Sequence, residues 1–121
     1  MIPDPEAVAQ AYSTLVAELG VPSRMSAASI RIALREADHL SDDVYDVPAA
    51  LLFTFGRYPR CFGGFRAVSA LVVSWHAKTL GFKLEATPTE LADVITRVAL
   101  RELTHADVRN WVVQRMLPFG G

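Results

Sequence analysis

Cysteine is nearly absent from this sequence: Cys61 is the only one in 121 residues. No internal disulfide can form, and a lone thiol fits a reducing compartment, so a cytoplasmic setting is expected. An excess of charge of one sign is lacking as well. Twelve lysines and arginines stand against thirteen aspartates and glutamates, a formal net charge of −1. Neutralising a nucleic-acid backbone takes a basic footprint, so no nucleic-acid partner is expected. A local cationic patch remains at Arg57, Arg60 and Arg66, on a scale that suits a nucleotide better than a duplex. Long hydrophobic runs are missing too. The stretch from Ala67 to Val73 meets Ser74, His76 and Lys78 well before the roughly 20 residues that a bilayer-spanning helix needs, so no membrane partner is expected. The opening Met-Ile-Pro-Asp-Pro-Glu has neither the basic start nor the apolar run of a secretory signal. His39, His76 and His105 fall in three separate segments without ligand spacing, and no metal centre or cofactor is expected from them.

What is abundant is apolar residue content, 51% against 21% charged, which is enough for one packed domain over residues 1–121. The periodicity predicts an all-α, six-helix bundle. Asp4 and Pro5 start a first helix with Val8, Ala11, Tyr12, Leu15 and Leu19 on one side, and Gly20 and Pro22 stop it. Ser26 caps a second that buries Ile30, Ala33, Leu34 and Ala37, and the polar stretch Asp38 to Asp46 reads as a loop. A third spans about Val47 to Arg57 with Pro48 in its first turn. Tyr58-Pro-Arg-Cys-Phe-Gly-Gly64 reads as a turn-rich loop, out of which runs an apolar helix from about Phe65 to Leu80. That helix is apolar almost all round, which predicts the centre of the bundle and buried Leu71, Val72 and Trp75. Phe82 to Glu85 is a short extended candidate. Thr87-Pro88-Thr89-Glu90 is a capping box, and Thr104-His-Ala-Asp107 repeats it less perfectly before the last helix.

The glycine loop ahead of the apolar helix is where chemistry is expected. Backbone N–H groups at a helix start are unpaired and partly positive, so Gly63 and Gly64 could let the chain approach an anion while Arg66 clamps it. A Gly-Gly turn before a helix is also ordinary punctuation.

The order of elements resembles the Fic/Doc (death-on-curing) family, in which helices lead to a His-x-Phe-x-(Asp/Glu)-Gly-Asn-x-Arg motif and then a long apolar helix. Leu80 to Leu91 looks like the Doc segment after that helix, and Arg101 to Trp111 like the final helix; the likeness covers about residues 5 to 116. It places Tyr58 at the motif histidine, Arg60 at the phenylalanine and Phe62 at the metal-binding carboxylate. Gly63 falls at the glycine, Gly64 at the asparagine and Arg66 at the arginine. The family's histidine serves as base towards a target hydroxyl, its carboxylate holds magnesium, and its glycine loop and arginine hold nucleotide phosphates.

Only Gly63 and Arg66 keep the motif. Tyrosine, with a reference pKa of about 10, stays protonated at neutral pH and makes a poor base. Phenylalanine offers magnesium no oxygen. The resemblance therefore implies a degenerate motif without the usual phosphoryl or nucleotidyl transfer. Duller readings stay open: Tyr58 as a packed ring, Cys61 as a small core residue rather than a nucleophile, Arg66 as an ion-paired side chain. Three functions follow: an interaction or regulatory module, a nucleotide-dependent transferase toxin with altered catalytic residues, or a helical structural domain. The family's habit of pairing toxin with antitoxin implies a small antitoxin-like partner, and the loop implies at most weak binding of a nucleotide or phosphate anion.

Overall fold

Proline at the start of a helix, where an N–H would go unpaired, marks α3 (Val47–Arg57). Nine of its eleven residues are buried, Phe53 and Arg57 being the exceptions. A computed structural model describes residues 2–19, 27–58 and 66–118 and surrounds α3 with the other helices. These are α1 (Pro5–Leu19), α2 (Ala27–Leu40), α4 (Arg66–Thr79), α5 (Pro88–Ala99) and α6 (His105–Val113). Helix α3 packs against α2, α4, α5 and α6, whereas α4 packs against α1, α3 and α5. The architecture is all-α, with six helices and one small ribbon among the described residues. No helix among them is long and apolar enough to cross a membrane.

The helix at the hub is thus α3, not the one after the glycine loop. Leu71 and Trp75, expected in the core, are 46% and 50% exposed, and only Val72 of the three is buried. The buried face of α4 is made instead of Ser69, Ala70, Val73, His76 and Ala77. Small side chains face the neighbouring helices because they let backbones approach, and this turns the two bulkiest apolar residues, Leu71 and Trp75, outward. The Tyr12 hydroxyl and the Ser69 hydroxyl share a buried hydrogen bond that ties α1 to α4. Burial pushes the Tyr12 phenol up, so it stays neutral there.

The stretch expected as a loop from Asp38 is partly helical. Helix α2 continues to Leu40, which is half-buried against the core, and a 3-10 turn spans Val44–Asp46. Asp46 is buried and receives the Arg109 guanidinium at 3.0 Å, which joins this turn to α6. After α4, Gly81 takes a φ of 91° that a side chain would resist, and the chain enters β1 (Phe82–Leu84). Strand β1 pairs antiparallel with β2 (Met116–Pro118), Lys83 opposite Leu117. Ser26 and the stop at Gly20 and Pro22 lie outside the described residues.

Both capping boxes are complete. Thr87 accepts from the Glu90 N–H at 3.1 Å and the Glu90 carboxylate accepts from the Thr87 N–H at 3.1 Å; Thr104 and Asp107 do the same at 3.2 and 2.9 Å. The backbone N–H groups of Thr87 and Thr104 hold the Glu90 and Asp107 carboxyls below the usual range. Thr87→Ala should cost about 0.5–2 kcal/mol. A lowered folded-state pKa means stability present above the unfolded value and lost as pH falls through the folded one. The Glu90→Ala/Asp107→Ala variant should therefore melt below wild type at pH 7, and the gap should close below about pH 4. A gap that widens on acidification would contradict this assignment.

Candidate functional site

The C-terminal turn of α3 brings the first motif position into view. The Tyr58 N–H donates to the Thr54 carbonyl at 3.2 Å and so extends the helix ladder by one residue. The Tyr58 side chain is half-buried and packs against the hydrophobic core. Gly63 and Gly64, with Arg60, Cys61 and Phe62, lie outside the described residues, and Arg66 opens α4 with its side chain outside them too. Of the expected site, Tyr58 alone has a described side chain.

One residue earlier, Arg57 sits at the junction of three adjoining hollows. The largest, about 330 Å³, lies between α3, the end of α5 and the start of α6, lined by Phe53, Arg57, Val98, Arg101, Leu103, Thr104 and His105. A second of about 240 Å³ adds Glu36, His39 and Leu40 from α2, and a third of about 180 Å³ runs past Gly56 and Ala99. The Arg57 guanidinium lies over the Phe53 ring, 5.8 Å from its centroid, and the centroid of the His105 ring is 5.4 Å from that of Phe53. The His105 Nε2 is buried without a hydrogen-bond partner. Burial first, then the Arg109 charge, pulls the imidazole below its ordinary pKa, so it is neutral at pH 7.

No family model, curated protein or solved structure matches the chain. The site is thus read from its own geometry. Arg57 belongs to the cationic patch expected from the sequence, but Arg101 and His105 come to it only through the packing of α5 and α6 on α3. Arg101 has a φ of 62°, the left-handed conformation usual for glycine just after a helix. Its own N–H reaches the Val98 carbonyl at 2.9 Å and the Glu102 N–H reaches the Arg97 carbonyl at 2.9 Å, closing the end of α5 as a Schellman motif. Nothing in Ala99-Leu-Arg-Glu102 announces this, since neither glycine nor asparagine is present. The three histidines are apart: His39 lines the second hollow, His76 is buried beside Thr79, and His105 lines the first. Among the described residues, no three His, Cys, Asp or Glu side chains gather as a metal site.

Proposed function

We propose that this chain is a Doc-like helical protein that does not transfer phosphoryl or nucleotidyl groups to protein hydroxyls, and that it works as an interaction or regulatory module in a toxin–antitoxin-like pair. The observation that carries this reading is Tyr58. The resemblance sets it at the position of the motif histidine, where a phenol makes a poor base at neutral pH, and its half-buried ring packs against the core. Phe62, at the carboxylate position, offers no magnesium ligand, so the charge of a triphosphate would go uncompensated in the transfer step. The outward-facing Leu71 and Trp75, one turn apart on α4, support a role carried out by contact, since exposed tryptophan is a strong anchor in protein interfaces. A small antitoxin-like protein is the partner the resemblance suggests. Gly63 and Arg66 are what the resemblance leaves of the motif, and with the backbone of Gly64 they are the residues offered for weak binding of an anion.

The test is incubation with labelled ATP, GTP, UTP and CTP, magnesium and a cell lysate. No protein should become labelled above background, and Tyr58→Phe should change nothing. Magnesium-dependent labelling that disappears in Tyr58→Phe would overturn the reading in favour of a transferase toxin with altered catalytic residues.

A further inference from the structure

The hollow between α3, α5 and α6 has chemistry of its own. Its two arginines come from different elements, and neither makes an ion pair among the described residues; the salt bridges there engage Arg97 with Glu102 and Arg109 with Asp46 instead. No carboxylate lines it. The acids around it are Glu102, on Arg97 at 3.5 Å, Asp107, in the capping box, Asp46, on Arg109 at 3.0 Å, and Glu36, which lines the adjoining hollow with Arg57. Arg101 occupies the left-handed position of the cap that closes α5, and the two backbone hydrogen bonds of that cap fix where its side chain leaves the chain. An unpartnered buried nitrogen, here His105 Nε2, is a departure from what a folded chain ordinarily tolerates.

From these observations we infer that the cleft binds a small phosphate monoester: Arg57 and Arg101 grip the phosphate, and the Phe53 ring and Leu103 receive the apolar part of the ester. Guanidinium groups match phosphate oxygens with paired donors, and a cleft of about 330 Å³ suits a small molecule rather than a protein segment. The inference stands apart from the Doc-like reading, because it uses none of Tyr58, Gly63, Gly64 or Arg66.

The experiment is titration of the full chain with inorganic phosphate and with AMP at low ionic strength, followed by amide NMR shifts and calorimetry. Both probes should shift the amides of Arg101 to His105 and saturate by about 10 mM, with AMP at least as tight as phosphate. Arg57→Ala should weaken binding about tenfold with little change in Tm. Arg101→Gly should weaken it about tenfold and raise Tm by about 4 °C, because glycine relieves the left-handed backbone; a residue there for structure alone would not separate the two readouts. No shift at these amides would overturn the inference, as would phosphate binding without AMP, or Arg101→Gly binding like wild type. Shifts confined to Gly63 and Gly64 would overturn it while supporting the retained motif.

Discussion

Phe55→Ala is expected to lower the free energy of unfolding by about 3–5 kcal/mol, whereas Leu71→Ala should cost about 1 kcal/mol or less. Phe55 is among the largest fully buried side chains and sits in the last turn of the helix that contacts four others. Removing its ring gives up the transfer of a large apolar surface and leaves a cavity that four packed helices cannot close. Leu71 already spends nearly half of its surface in water, so its truncation forfeits little. Denaturant unfolding of the two variants decides which helix is the hub. A larger loss at Leu71 than at Phe55 would restore the helix after the glycine loop to the centre of the bundle.

That contrast also marks how far the fold could be read from the chain. Helix starts were legible because they rest on local chemistry: Asp4 with Pro5, Pro48, Thr87 with Glu90, and Thr104 with Asp107 all act within one turn. The bounds of α3 agree with the expected Val47 to Arg57 for that reason. The facing of α4 was not legible. A helix apolar almost all round has no polar side to orient it, and the choice fell to sterics, with Ser69, Ala70 and Ala77 turned in so that backbones can approach. Strand β2 was equally hidden, because its pairing with β1 joins residues far apart in sequence and includes Pro118 at its end. Tyr58 was singled out by a resemblance to a local motif. The convergence of Arg57, Arg101 and His105 depends on the packing of α5 and α6 on α3, and a backbone at φ 62° on an arginine carries no compositional sign.

The packing of α5 on α3 can itself be tested at Gly56. Taken as an isolated helix position, Gly56→Ala should stabilise by up to about 1 kcal/mol, since alanine is the better helix former. In this fold the added Cβ would lie 2.5 Å from the Val98 Cβ, 2.6 Å from its Cγ1 and 2.8 Å from the Ile95 carbonyl oxygen. Carbon atoms pack at roughly 3.5–4.0 Å, so this is a clash rather than a contact. Relief by rotamer is unavailable. The Val98 Cβ is fixed to its backbone, the Ile95 oxygen is backbone, and a β-branched side chain in a helix has one strongly preferred χ1. The helices α3 and α5 would have to separate, and overpacking of this kind costs about 1–3 kcal/mol. Sterics therefore outweigh propensity, and Gly56→Ala should be destabilised by about 2 kcal/mol. Val98→Ala in the same chain should not rescue it, because alanine keeps the Cβ that lies at 2.5 Å. Since Gly56, Arg57, Val98 and Arg101 line one hollow, spreading the two helices should also part the two arginines. Gly56→Ala should then lose phosphate binding along with stability, whereas a variant as stable as wild type would show that α3 and α5 do not meet at this residue.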